Sequence, residues 1–318
     1  MTNFITFKYK LCTVLAVIFV CTFIIGNFAG CAGKTETTVT VEHSALSGAR
    51  DNTPTVLTPQ KPGTKIIGDD ECCIDISNIS EGYMYVSYSG DNDDIKLRMS
   101  VSDANEYTYS IPIGDTVIPF SEGSGTYKIV VYEGIGDGAY AALFDESIDV
   151  ELSNEFGPFL YPNQYVWFTD TTQAVSLAKE LAAGKSCDLE VLSSVYDYVV
   201  HNISYDHEEA ETVSKGYLPD VDEVLSTRKG ICFDYAALMT CMLRSQGIPS
   251  KLVIGYAGDE YHAWINAYVP DIGWIDEIIK FDGENWSLMD PTFASNSSAS
   301  EMKKIRKKDD FYVTRFER

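Results

Sequence analysis

Residues 228–249 read RKGICFDYAALMTCMLRSQGIP, and the placement of one cysteine in this stretch organises the rest of the chain. Gly230 gives a flexible approach, Cys232 follows at once, and AALMTCMLRSQ continues with helical character. Gly247 supplies the C-terminal stop and Pro249 the exit. Cys232 is therefore expected at or just inside a helix N-terminus, where unpaired N–H groups and the positive end of the helix dipole favour thiolate over thiol. Asp234, two residues on, offsets the same dipole in the first turn. Cys241 lies nine residues further along, about 900° around the helix at 100° per residue, and so faces away as a core thiol.

Downstream, SKLVIGYA (250–257) and YHAWINAYV (261–269) read as strands. In the second, His262, Trp264, Asn266 and Tyr268 share one face, and Ala263, Ile265, Ala267 and Val269 the other. A third strand, NWSLMDPTF (285–293), carries Asp290 before Pro291 ends the run. Pairing of the second and third would place an imidazole beside a carboxylate, with the helix bringing a thiol to the other ring nitrogen. Thiol, imidazole and carboxylate are the groups that covalent acyl transfer uses: a nucleophile, a proton carrier and an orienting acceptor.

The blocks GICFDYAALMTCMLRSQGIPSKLVIGY, YHAWINAYV and WSLMDPTF together resemble the transglutaminase-like superfamily of papain-type fold, over about Leu189 to Phe293. The resemblance implies an α+β papain/transglutaminase-like core in which a helix packs on an antiparallel sheet. It implies Cys232 as nucleophile, His262 as general base and acid, and Asp290 as orienting carboxylate, with no metal or organic cofactor. The N–H of Cys232 is the natural first oxyanion donor. Tyr205 is either the second donor or a packing residue. The tryptophan that serves in animal members has no evident counterpart here.

Upstream, the texture changes. From Ile66 to Leu152 apolar residues alternate, as in Leu97, Met99, Val101 and again Tyr107, Tyr109, Ile111, with turn chemistry at SGDND (89–93) and EGIGDG (133–138). An all-β sandwich-like domain over 65–155 is expected, followed by a catalytic domain over 159–318. The aromatic stretch FGPFLYPNQYVWF (156–168) joins them. Residues 65–158 hold 19 acidic and only 4 basic residues, so the sandwich surface is strongly acidic and reads as a solvated spacer. Asp91, Asp93 and Asp94 do not match EF-hand spacing. Val175, Leu177 and Leu181, and then Leu189, Leu192, Val195 and Val199, fall at helical steps, the second set within a helix over 188–202. His201 and His207 lack zinc-site spacing.

The N-terminus carries Lys8 and Lys10, the apolar run Leu11 to Ile25, and then NFAGC, in which Cys31 follows small residues. The pattern resembles a bacterial lipoprotein signal over 1–31, with Cys31 lipidated. An uncleaved membrane anchor is the other reading of the same run. Either leaves the remaining chain extracytoplasmic. Residues 32–64, rich in Thr, Ser, Gly and Pro, read as a flexible linker. With 47 acidic against 24 basic residues the net charge is −23, and a nucleic-acid backbone would be repelled. The basic run 303–308, KKIRKK, reads as a solvated tail or a polyanion contact.

The expected activity is hydrolysis of an amide in protein or cell-wall peptide substrates by a surface-anchored thiol enzyme. The alternatives are protein cross-linking by amine transfer, and a non-catalytic binding scaffold.

Overall fold

The computed structural model describes residues 49–101, 106–257, 259–270, 272–276, 280–281, 286–287 and 312–318. The predicted helix over 188–202 is present with those bounds, as is a helix beginning at Cys232. Among the described residues no helix is long and apolar enough to cross a membrane.

Two four-stranded antiparallel sheets come first. One has the order β1 (Ile66–Gly68), β2 (Cys72–Asp75), β3 (Tyr83–Tyr88), β6 (Gly114–Pro119). The other has the order β5 (Glu106–Ile111), β4 (Ile95–Val101), β7 (Gly125–Gly136), β8 (Ala139–Val150). Alternate residues of both sheets meet in one core. Ile74, Val86, Leu97, Tyr109, Ile118 and Ile129 are fully buried there, as the period-two pattern requires. The expected turn at 133–138 is shorter in the structure. β7 runs on to Gly136, and only Asp137 and Gly138 turn, both at positive φ (51° and 73°). An Asp-Gly pair is suited to a two-residue hairpin turn, and Gly136 before it, at φ 92°, marks a register shift in the ladder between Gly134 and Gly136. At Gly134 a Cβ would lie 2.4 Å from the Asp94 carboxylate.

The second body contains α1 (Gln173–Ala182), α2 (Asp188–Asn202), β9 (Ser204–Tyr205), α3 (His207–Thr212), α4 (Val221–Thr227), β10 (Lys229–Gly230) and α5 (Cys232–Ser245). Strands β11 (Ser250–Ala257), β12 (Glu260–Val269), β13 (Gly273–Ile275), β14 (Lys280–Phe281), β15 (Trp286–Ser287) and β16 (Tyr312–Glu317) complete it. An antiparallel sheet with order β13-β12-β11-β16 backs α5, which also contacts α1, α2 and α4. Every residue of α5 from Asp234 to Ser245 is buried, so this is a central helix, surrounded rather than amphipathic. The fold is an α+β core preceded by a β-sandwich-like region.

Residues 156–168 pack against both bodies. Phe159 meets Trp274 edge-on at 5.5 Å, and Tyr161 meets Tyr83 at 4.7 Å. Tyr165 touches Tyr109 of the sandwich and Phe233 of α5, each at 5.9 Å. Beside it the Arg318 guanidinium lies over Tyr107 (4.4 Å), Tyr109 (4.3 Å) and Tyr165 (4.9 Å) and donates to the Tyr109 hydroxyl at 2.9 Å. Desolvated cation–aromatic contacts of this kind can contribute about 2 kcal/mol or more.

One expectation is corrected. Residues 49–64, the described part of the expected linker, are held against the protein. Arg50 pairs with Asp188, the Thr55 N–H donates to Ser245 O (2.7 Å), the Gln60 N–H donates to the Tyr83 hydroxyl (2.8 Å), and Val56 packs on the helical core. An extended arm without regular pairing has no hydrophobic period, so its sequence looks like that of a tether.

Candidate active site

The start of α5 is fixed from three sides. Arg228, at φ 55°, ends α4 in the left-handed conformation and turns the chain into β10. β10 runs parallel to β9, with Ser204 N–H donating to Arg228 O (2.8 Å) and Asp206 N–H to Gly230 O (3.0 Å). Ile231 is then extended and Cys232 is the first helical residue, as expected. Asp234 does more than offset a dipole. Its buried carboxylate accepts the Ile231 N–H at 2.8 Å and the Tyr217 hydroxyl at 2.7 Å, tying the entry turn to the 213–218 segment. Burial raises the carboxyl pKa of Asp234, while those two donors pull it down. At Gly230 a Cβ would sit 2.6 Å from the Asp234 Cβ, so the glycine is there for space. Further along, the Tyr235 hydroxyl donates to Ile203 O at 2.6 Å and binds α5 to the end of α2.

The Cys232 thiol meets β12 beside His262, within hydrogen-bonding reach of the Ala263 N–H. Burial pushes its pKa up to about 11, against the pull of N–H groups of Ala263, Phe233 and Cys232 itself. His262 is 7% exposed, and burial pulls its imidazole down to about 4. Among the described residues the pair is therefore an uncharged thiol and an uncharged imidazole. Among the described residues the helix terminus alone does not hold Cys232 as a thiolate, because desolvation of the sulfur outweighs the first-turn N–H groups.

His262 Nε2 is buried with no hydrogen-bond partner among the described residues. A buried ring nitrogen in that state is the position an orienting acceptor fills. Asp290 lies outside the described residues, as do the rest of 288–293. Among the described residues β12 is flanked by β11 and β13, and β15 pairs with β14, so the expected pairing of β12 with the third strand is not seen there. The His262 ring stacks near Trp264 (6.3 Å, 23°), which is 1% exposed. Opposite His262 stands Gly255, where a Cβ would strike the Val313 carbonyl at 2.0 Å and the Trp264 ring at 2.8 Å.

Cys232 and His262 open into one cleft of about 540 Å³. Tyr205 lies on its wall, near His207 and Tyr235 at ring distances of 5.0 and 6.4 Å. Thr108 and Ser110 of β5 also line it, which sequence reasoning missed because residues far apart in sequence and in different bodies leave no local signal. Among its described lining residues there is no Asp or Glu. The carboxylates of Asp206, Glu209 and Glu223 instead line a separate recess of about 490 Å³ that shares Tyr217. Cys72 and Cys241 are buried, while Cys73, Cys187 and Cys232 are partly exposed, and all five are free; Cys241 is thus the core thiol that its helix position implies. No group of three or more His, Cys, Asp or Glu among the described residues is placed to hold a metal ion.

Residues 175–276 match the profile of the Transglutaminase-like superfamily. Over this segment the chain is similar to that superfamily. Two curated relatives agree in part. The uncharacterized protein YebA of Bacillus subtilis (strain 168) is 24% identical over 216 residues, covering 61% of this chain and 28% of that protein. The protein-glutamine gamma-glutamyltransferase of Pseudomonas aeruginosa is 35% identical over 68 residues, covering 17% of this chain and 10% of that protein. The chain thus spans well under half the length of either. Among solved structures, a Cytophaga hutchinsonii protein described as a candidate cysteine protease aligns at TM-score 0.35 and 15% identity, over 74% of this chain and 78% of that one. Red sea bream transglutaminase aligns at TM-score 0.29 and 13% identity, over 66% of this chain and 48% of that one.

Gly230→Ala should cost about 2 kcal/mol or more, since backbone or Asp234 must move to admit the methyl group. It should also slow alkylation of Cys232 by iodoacetamide. Urea unfolding and site-resolved mass spectrometry read the two effects, and a variant equal to wild type in both contradicts this account of the turn.

Proposed function

We propose that this protein is a thiol enzyme that forms an acyl-enzyme at Cys232 from a carboxamide and releases it to water. The observation that carries the reading is the delivery of Cys232, at the start of a central helix, to β12 beside His262 in one cleft. In the first half-reaction His262 takes the thiol proton as sulfur attacks the carbonyl carbon. The C–S bond forms, the C–N bond breaks, and the imidazolium returns the proton to the leaving amine or ammonia. In the second half-reaction His262 deprotonates water, the C–O bond forms, and the C–S bond breaks to regenerate the thiol. The N–H of Cys232 stabilises the oxyanion, and Tyr205 is the proposed second donor.

Asp290 is the proposed acceptor for His262 Nε2. A carboxylate there raises the imidazole pKa and lowers that of the thiol, which is the change the uncharged pair needs to react. Water is favoured as acyl acceptor because no carboxylate among the described lining residues stands ready to hold an ammonium group. Amine transfer is the second reading, on the similarity to the protein-glutamine gamma-glutamyltransferase of Pseudomonas aeruginosa. The substrates proposed are proteins or cell-wall peptides met outside the cytoplasmic membrane. The apolar run 11–25 and NFAGC support lipidation of Cys31 as the anchor.

With dimethylated casein as glutamine donor, Cys232→Ala should abolish ammonia release, and Asp290→Asn should lower kcat by about 10²- to 10⁴-fold. Ammonia released in excess of incorporated cadaverine supports hydrolysis. Equimolar incorporation shifts the assignment to cross-linking. Activity that survives Cys232→Ala sinks the thiol-enzyme reading, and a wild type that releases no ammonia favours a scaffold. For the anchor, the full chain expressed in a bacterial host should partition with membranes and shift to the soluble fraction in Cys31→Ser. A chain that stays membrane-bound in Cys31→Ser is held by the apolar run instead.

A further inference from the structure

Among the described residues β5 is an edge strand, bonded on one side to β4 and on the other to no strand. In a strand the N–H and C=O of one residue point to the same side, and those of the next residue to the other. The Ser110 carbonyl accepts Gln164 Nε2 at 2.6 Å, so the main-chain groups of Ser110 face away from β4. Those of Thr108, two residues earlier, face the same way. Thr108 and Ser110 are also the two residues of β5 that line the cleft of Cys232 and His262. The two residues whose main-chain groups face the unpaired side of β5 among the described residues thus border the cleft that holds the nucleophile. Gln164, itself 8% exposed, holds an N–H donor on that edge where a neighbouring strand would place one.

The geometry points to an extended polypeptide as acyl donor, added as a strand to the free edge of β5 with its reactive carboxamide reaching Cys232. This rests on the thiol chemistry proposed above and names its substrate class. A short free amide has no main chain to offer this edge, whereas a polypeptide gains register from the main-chain groups of Thr108, next to the Ser110 carbonyl that Gln164 fills. The opposite wall, Val213 to Leu218, is chemically unselective, with half-exposed Val213 and Leu218 flanking Lys215 and Gly216. Neither wall presents a carboxylate among its described lining residues, so the segment beside the reactive side chain is expected to be uncharged or acidic. The sandwich is then part of the substrate site as well as a spacer.

The test uses the full chain and two hexapeptide probes carrying 6-diazo-5-oxonorleucine, a glutamine isostere that alkylates thiols. One probe has free alanine amides and the other has the same amides N-methylated. Cys232 alkylation by each, and by iodoacetamide, is followed by mass spectrometry. Wild type should react about tenfold faster with the free-amide probe, the effect of one or two main-chain hydrogen bonds. Thr108→Pro removes an N–H that faces no strand among the described residues, a change edge strands tolerate. It should bring the free-amide probe down to the rate of its methylated twin, each rate being taken relative to iodoacetamide labelling of Cys232 in the same protein. Equal rates for the two probes in wild type, including none for either, overturn the inference. So does a preference that survives Thr108→Pro. If that variant exposes the buried Cys241 to iodoacetamide it has unfolded, and the wild-type comparison decides alone. Failure of iodoacetamide to label Cys232 in wild type counts against the thiol enzyme itself, separately from this edge.

Discussion

The buried carboxylate of Asp234 holds the first turn of the central helix, and the site depends on it. It takes one donor from the entry turn and one from Tyr217, and it leaves room for no side chain at Gly230. Because α5 is buried on all sides, its axis is set by packing against α1, α2, α4 and the sheet. Its start is set by this carboxylate. With axis and start both fixed, Cys232 has one position, and that position is on β12 beside His262. Rigid support of this sort is what lets a nucleophile meet its base without a search in each turnover.

Burial supplies the geometry at an electrostatic cost. Among the described residues the same packing that fixes the sulfur pushes its pKa up to about 11 and the imidazole down to about 4, so neither partner is charged until a third group acts on them. Helix N–H groups and the Ala263 N–H counter this for the thiol but do not reverse it. His262 has an unfilled, buried ring nitrogen among the described residues, and charge placed there is the direct way to couple the two titrations. In the proposed triad, position comes from the fold and reactivity from the third residue.

The parts of this arrangement that were legible in the sequence are those with local periodicity. Leu189, Leu192, Val195 and Val199 marked α2, and Tyr107, Tyr109 and Ile111 marked the buried face of β5. Gly230, Cys232, Gly247 and Pro249 bracketed α5, because start and stop signals act on neighbouring residues. What was not legible depends on contacts across long sequence distances. The tie from Asp234 to Tyr217 spans 17 residues, and the one from Arg50 to Asp188 spans 138. Composition assigned 49–64 to a tether because an arm held by scattered bonds has no period. The acidic sandwich read as a spacer because nothing in β5 itself reports that Thr108 and Ser110 face a thiol in another body. The helix terminus alone did not foretell the state of the thiol for a related reason: helix position is written in sequence, but depth of burial is not.

The most direct measurement is the pH profile of Cys232 alkylation by iodoacetamide, resolved site by site by mass spectrometry, in wild type and His262→Ala. The account predicts a wild-type midpoint below the ordinary thiol value of about 8.5, set by a charged partner at His262. It predicts that His262→Ala moves the midpoint toward about 11, the value burial alone imposes on the thiol. Superimposable profiles for the two proteins would contradict it, because the imidazole would then have no hold on the sulfur.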